Sequence, residues 1–319
     1  MQSRILGGFV SMEQNSSLDC DVIIVNYNAG GVLTECVNSA LAEQARHVFV
    51  VDNDSHDASL ANMMDSISDI RVTLIQNGKN LGFAAASNIG ARASNAGALL
   101  FINPDSLLHE DSLYRMMDVL GSNPSIGMVG GFLCNTDGSE QPGGRRILPT
   151  PRRAFMRAFG LSYFSKWLPS LFSDFLLHSE SLPPEPTSVE AISGACMLVK
   201  REALEDVGLW DERYFLHCED LDWCMRFRLR NWDIVFVPDA RVVHVKGACS
   251  YSRPFFVEWH KHHGMLTFYN KFYRKQYHCS LWWLVVLGVW LRFGLVSIYL
   301  VVRLTLSQIN GLLRRSARA

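Results

Sequence analysis

From Asp21 onward the chain alternates short apolar runs with stretches of helical periodicity. The runs are Asp21 to Asn26, His47 to Asp52, Arg71 to Gln76 and Ala98 to Asn103, and a helical pattern follows the first, reaching about Glu43. Strands that are apolar throughout, rather than on alternate residues, are buried on both faces, which is the pattern of a parallel sheet covered by helices. The first half therefore reads as an α/β unit. In such sheets ligands sit beyond the carboxyl ends of the strands. Each run here ends in polar residues: Asn26-Tyr27-Asn28, Asp52-Asn53-Asp54-Ser55, Asn77 to Asn80 and Asn103-Pro104-Asp105. Four strand ends thus point to one polar crevice.

The rest of the chain adds to that unit rather than repeating it. With 319 residues, 48% of them apolar, one sizeable core is available. Thirty basic residues against 31 acidic ones leave no global footprint for nucleic acid. The eight cysteines include no Cys-x-x-Cys pair, which argues against a zinc site or disulfide framework. Residues 1–18 hold a short apolar run, Ile5 to Val10, without the features of a signal peptide, and read as a disordered extension. Residues 135–187, with Gly143-Gly144-Arg145-Arg146, many prolines and an aromatic stretch from Phe155 to Phe175, read as a long excursion from the core. The pattern recovers at Val189 to Lys200. It continues with an acidic helix start at Glu219 to Arg226, a strand at Ile234 to Val237 and the run Val242 to Val245. These divisions predict a catalytic unit over 19–255 and a helical, membrane-associated segment over 256–319.

Asp105 follows a buried strand, and one carboxylate at such a place suffices to anchor a hard divalent cation carried by phosphates; a plain Pro-Asp turn accounts for the same residues. Glu219 and Asp220 open a helix, where acidic side chains complement the dipole. The aromatic run before them, Gly208 to Cys218, also builds a partly desolvated wall that suits a general base. His244 ends an apolar strand pattern, as buried structural histidines do, and becomes a metal ligand only with a carboxylate nearby, for which Asp105 is the candidate. Lys246 and Gly247 add a cation and a turn. Gly82, in Asn80-Leu81-Gly82-Phe83, allows close backbone approach before a helix whose N-terminus suits phosphate, or simply a turn before a packed alanine-rich helix.

In their order these segments resemble the family 2 glycosyltransferases, especially the rhamnosyltransferase-like branch acting on lipid-linked saccharides. The segments are Val22 to Asn28, Val50 to Ser55, Asn80 to Asn88, Asn103-Pro104-Asp105, Ser193-Gly194-Ala195, Phe215 to Cys224 and His244 to Ser250. The resemblance implies a GT-A fold, a mixed central sheet flanked by helices, and a nucleotide-diphosphate sugar as donor. By it, Asp52 binds the nucleobase, with Asn26, Asn28, Asn53, Asn80, Gly82, Phe83, Asn88 and Asn103 along the donor pocket. Asp105 and His244 carry Mg2+ or Mn2+, Asp220 is the base with Glu219 beside it, and Gly194, Trp210 and Asp211 border the acceptor. Asn103 stands where the family motif has a first Asp. The implied reaction is a single displacement with inversion onto a lipid-linked saccharide.

Leu281 to Val302 is uncharged except for Arg292 and long enough to span a bilayer core of about 30 Å. Arg292, Arg303 and Asn310 fall within about 20° of one another on a helix. Basic residues flank both ends: Lys261, Lys271, Arg274 and Lys275 before, and Arg314, Arg315 and Arg318 after. Since basic flanks face the cytoplasm, the segment is expected to lie in the cytoplasmic leaflet of the inner membrane, peripheral or monotopic. A buried C-terminal helix is the alternative. Two other functions compete: a nucleotidyltransferase, disfavoured because Asn26 to Gly31 holds no Lys or Arg for a triphosphate, and a non-catalytic sugar-nucleotide-binding protein.

Overall fold

The computed structural model describes residues 18–150, 153, 177–178, 180–245, 253–276 and 278–316. The expected N-terminal extension, the aromatic stretch Phe155 to Phe175 and the pair Lys246 and Gly247 lie outside them. The apolar runs form β1 (Leu18–Asn26), β2 (Ala45–Asp52), β3 (Val72–Gln76) and β4 (Ala98–Ile102). Helices α1 (Val32–Ala42), α2 (Ser59–Ser66) and α3 (Phe83–Ala93) connect them. These four strands are parallel, in the order β3-β2-β1-β4. Val22, Ile23 and Ile24 are all within 1% of full burial. Each such side chain contributes about 1.5 to 3 kcal/mol, so the register of β1 is strongly held.

Beyond β4 the sheet becomes mixed, with nine strands in all. The further elements are β5 (Ser106–Leu108), α4 (Ser112–Ser122), β6 (Ile126–Cys134), β7 (Arg145–Arg146), β8 (Thr187–Ser188), β9 (Ala191–Ile192) and β10 (Cys196–Lys200). After them come α5 (Arg201–Val207), α6 (Glu219–Leu229) and β11 (Asp233–His244). Strand β10 lies antiparallel between β4 and β6, β11 runs parallel to β6, and β5 and β8 pair antiparallel with β11. The run expected over Val189 to Lys200 is broken into β9, which pairs with β7, and β10. The two runs expected at Ile234 and Val242 are one strand, whose register slips between Val237 and Arg241. Apolar side chains pack on both faces of the sheet, in two separate clusters. In α4, Leu113, Met116 and Leu120 give one buried stripe at helical spacing. Against β1 the chain uses Gly90, where a Cβ would come within 2.7 Å of Ile23, so α3 lies close on the sheet.

Residues 135–150 do not leave the core as expected. Gln141, Arg145 and Leu148 are buried, and Arg145 is held by Glu140 at 2.8 Å. At the C-terminus, α7 (Pro254–Phe272) packs on α6, where Lys271 meets both Asp211 and Asp222 at 2.7 Å. Helix α8 (Cys279–Ser316) packs on α7 through Trp259, Trp290 and Phe293. Among the described residues it is the one helix long and apolar enough to cross a membrane, over Cys279–Leu306. Arg292 is not left to the apolar surroundings: its guanidinium donates to His262 Nε2 at 2.8 Å, while His262 Nδ1 meets the Glu258 carbonyl at 2.7 Å. The carbonyl fixes the proton on Nδ1 and leaves Nε2 free to accept.

Candidate active site

The expected donor side is a set of buried amides and carboxylates at the ends of β1, β2 and β3. Asn26 donates to Asp52 at 2.8 Å, and Ser55 donates to the same carboxylate through its hydroxyl at 2.6 Å and its backbone at 3.0 Å. The Asn28 side-chain oxygen accepts from the backbone N–H groups of His56 and Asp57, and Asn53 joins Asn77 to the Gly82 carbonyl. Asn80 accepts from Gly82 N–H at 2.9 Å. These groups stand together, and their side chains first of all hold one another in place.

Four of the expected donor-side and acceptor-side residues also make contacts within the protein. Asn88 is buried and grips the Trp210 backbone in both directions, donating to its carbonyl and accepting from its N–H, each at 3.0 Å. Gly82, at φ 83°, sits against Phe215, whose carbonyl accepts the first helical amide, Phe83 N–H, at 2.9 Å. Trp210 is 2% exposed and packs in the core on Phe83, Phe101 and Trp223. Asp211 is tied to Arg213 and Lys271.

The chemistry-bearing residues close into a ring of contacts. Pairing of β5 with β11 sets His244 opposite Ser106, so Asp105 lies beside it, and His244 Nε2 stands 3.2 Å from Asp105 Oδ1. Asn103 N–H donates to the Ala195 carbonyl at 3.1 Å, and the adjacent Gly194 N–H donates to Asp220 at 3.2 Å. Arg146, on β7, pairs with the same Asp220 oxygen and with the Ile192 carbonyl at 2.7 Å. Gln141 bonds to His244. An extended chain covers at most about 3.6 Å per residue, so the five-residue step from Gln141 to Arg146 spans no more than about 18 Å. One short segment, Gln141 to Arg146, therefore ties the His244 end of the ring to the Asp220 end. Arg146 and Gln141 were not singled out from the sequence. The only signal there was the Gly143-Gly144-Arg145-Arg146 cluster itself.

The two carboxyls that open α6 differ in protonation. Burial pushes the Glu219 carboxyl up, and the Asp220 charge beside it pushes it further, to about 8. Burial pushes Asp220 up as well, but the Arg146 guanidinium outweighs that and leaves Asp220 below its ordinary range. Environments that drive two neighbouring carboxyls apart separate their roles: at neutral pH Asp220 is an ionised proton acceptor and Glu219 holds a proton. At Glu219 the folded protein thus binds more protons than the unfolded chain between the ordinary value of 4.5 and about 8. That contribution is full below the lower value and is lost as pH rises through the upper one, at up to about 1.4 kcal/mol per pH unit. Glu219→Gln should remove the loss, so its melting temperature overtakes that of the wild type as pH rises. Parallel melting curves against pH would refute the assignment.

His244 and Asp105 also pass a test for a cation. Nε2 and a carboxylate oxygen are both acceptors when the ring carries its proton on Nδ1, and a proton or a cation has to lie between them. Two adjacent ligands of one octahedral ion with bonds of about 2.1 Å are about 3 Å apart. Among the described residues no group of three or more His, Cys, Asp or Glu could hold a metal ion. A two-ligand site of this kind leaves most of the shell to phosphate oxygens and water, as Mg2+ sites commonly do.

A mixed sheet of this strand order, with polar residues at the carboxyl ends of its parallel strands, has the GT-A architecture. Solved structures agree on the fold. The mannosyltransferase PcManGT of Pyrobaculum calidifontis, in complex with GDP-Man and Mn2+, superposes with a TM-score of 0.54 at 15% identity, over 89% of this chain and 76% of that one. GalNAc-T7 with UDP, GalNAc and Mn2+ gives 0.52 at 16% identity, over 70% of this chain and 43% of that one. The chain belongs to the glycosyltransferase-like family 2, whose model matches residues 19–257, and within it to the rhamnosyltransferase-like branch. It is 31% identical over 240 residues to the N-acetylglucosaminyl-diphospho-decaprenol L-rhamnosyltransferase of Mycobacterium tuberculosis (strain CDC 1551 / Oshkosh), covering 70% of this chain and 75% of the relative. To the dTDP-rhamnosyl transferase RfbF of Shigella flexneri it is 27% identical over 229 residues, covering 70% and 68%.

Proposed function

We propose that the protein is an inverting, metal-dependent hexosyltransferase that moves rhamnose from dTDP-rhamnose to a hydroxyl of a lipid-linked saccharide. The observation that carries this reading is the ring itself, in which an ionised Asp220 and the Asp105 and His244 pair face one crevice. Asp105 and His244 are the residues that would hold Mg2+ or Mn2+. When bound, the ion neutralises charge growing on the departing diphosphate. Asp220 accepts the proton of the attacking hydroxyl. Arg146 and the Gly194 N–H fix the carboxylate, and Glu219, protonated, adds no second negative charge. Because Asp105 faces His244 and Glu219 keeps its proton, Asp220 is the one ionised carboxylate of the ring left for chemistry, which favours single displacement. The printed names of the Mycobacterium and Shigella relatives support rhamnose and a polyprenyl-diphosphate acceptor.

Residues 256–319 would hold this catalytic unit at the cytoplasmic face of the membrane. In α8, Trp283, Leu284, Leu287, Leu291, Leu295 and Ile298 are exposed apolar side chains, a surface that lipid covers at less cost than water does. One assay addresses both parts. The full chain, supplied with Mn2+ and a panel of nucleotide sugars, should be stabilised most by dTDP-rhamnose and transfer it to a polyprenyl-diphosphate saccharide. It should also float with anionic vesicles, while protein ending at Gln276 does not. Pyrophosphate release from a nucleoside triphosphate and sugar phosphate, without transfer, would move the reading to a nucleotidyltransferase. Binding of a nucleotide sugar with neither reaction would leave only a binding protein.

A further inference from the structure

We infer that Gln141 is a positioning residue that selects the tautomer of His244 and so prepares the cation site; this rests on the metal-dependent reading above. Gln141 is 3% exposed and its carboxamide meets His244 twice. One end lies 2.5 Å from the His244 carbonyl and the other 2.9 Å from His244 Nδ1. A carbonyl only accepts, so the end beside it is the amide NH2. The opposite end is then Oε1, itself only an acceptor, and the His244 Nδ1 it faces must carry the proton. In the neutral ring, which has one proton, Nε2 then keeps its lone pair and faces Asp105 at 3.2 Å. A single side chain thereby turns His244 into a ligand before any ion arrives.

The placement of Gln141 depends on the fold rather than on the loop alone. Its own N–H donates to the Leu133 carbonyl at 2.9 Å, at the end of β6, the strand beside β11. The carboxamide therefore reaches His244 from a neighbouring strand of the same sheet. Histidine ligands whose second nitrogen is held in this way commonly lose about 10 to 100-fold in metal affinity when the outer partner is removed.

Two substitutions separate tautomer control from simple anchoring of the backbone. Gln141→Met keeps size and loses both bonds. Gln141→Glu keeps an acceptor for Nδ1–H and loses the donor to the His244 carbonyl. In full-length protein with a nucleoside diphosphate, Mn2+ affinity should fall about 10 to 100-fold in Gln141→Met and stay within a few-fold of wild type in Gln141→Glu. Thermal stability should fall in both, and no less in the Glu variant, because its carboxylate faces a carbonyl. A long-range proton–nitrogen correlation on labelled histidine in metal-free protein should find the Nδ1–H form of His244 in wild type and Gln141→Glu, and a mixture in Gln141→Met. Mn2+ affinity that follows stability rather than the tautomer would overturn the inference. If wild type binds no Mn2+, the metal reading itself fails. A wild-type affinity unchanged in a folded Gln141→Met protein sinks the role of Gln141 alone.

Discussion

Asp220→Asn is expected to lower kcat by about 10² to 10⁴-fold, the usual loss when a general base is removed, with donor affinity nearly unchanged. Stability must be measured on the same preparation, because Asp220 does more than open α6. Its carboxylate balances the charge of Arg146, whose side chain is 13% exposed and whose Nε is buried without a partner. Removing one member of a buried ion pair commonly costs about 3 to 5 kcal/mol, well above the roughly 1 kcal/mol expected of a helix cap. Asn still offers an oxygen to Arg146, so the cost should fall between these figures. Asp220→Glu resolves the two roles. It keeps the negative charge for Arg146 and should melt near the wild type, but an extra methylene shifts the base from its place, and misplacement by about 1 Å is worth roughly 10²-fold in rate. Near-normal kcat in the folded fraction of both variants would eliminate Asp220 as the base.

The difference between Asp220 as read from sequence and Asp220 in the structure illustrates which parts of such a site are legible. Strands β1, β2 and β4 were readable because a strand buried on both faces needs consecutive apolar residues, whereas β6, buried at every position, escaped because three glycines interrupt its apolar run. The direction of β10 was not readable either, since an antiparallel strand inserted in a buried sheet is as apolar as its parallel neighbours. Asp105 and His244 were legible as strand-end residues, although the pairing that joins them is between strands distant in sequence, Ser106 with His244, Leu107 with Val243 and Leu108 with Val242. Arg146 and Gln141 lie in a segment whose glycines and prolines suggest a loop. What fixes it is a set of long-range bonds to Asp220 and His244 that no local pattern encodes. Asn88 and Gly82 show how one local signal serves two ends. A polar or small residue at a strand or helix end suits a ligand, but it suits equally well the backbone of Trp210 or Phe215 that happens to pass there.

Chelation is expected to abolish transfer, and Asp105→Asn should do nearly the same with metal present, because loss of several kcal/mol of charge stabilisation amounts to about 10³-fold or more in rate. The sharper expectation concerns metal-free stability. With the His244 proton held on Nδ1 by Gln141, Nε2 and Asp105 Oδ1 are two acceptors 3.2 Å apart in a buried site. That contact is unfavourable until a cation or a second proton lies between them. Asn at position 105 replaces one acceptor by an N–H donor and converts the same contact into a hydrogen bond, worth about 0.5 to 1.5 kcal/mol. At a pH well above the ordinary histidine range of about 6.5, metal-free Asp105→Asn should therefore melt at or above the wild-type temperature while its metal-dependent donor binding is lost. Adding Mn2+ and a nucleoside diphosphate should raise the wild-type melting temperature past that of the variant, which gains nothing from either. A purely structural Asp105 and His244 pair predicts the reverse order without metal, because the wild-type contact would then be the stabilising one. Full activity in excess chelator, or an Asp105→Asn protein that melts well below wild type when both are metal-free, would show that this pair was not arranged around a cation.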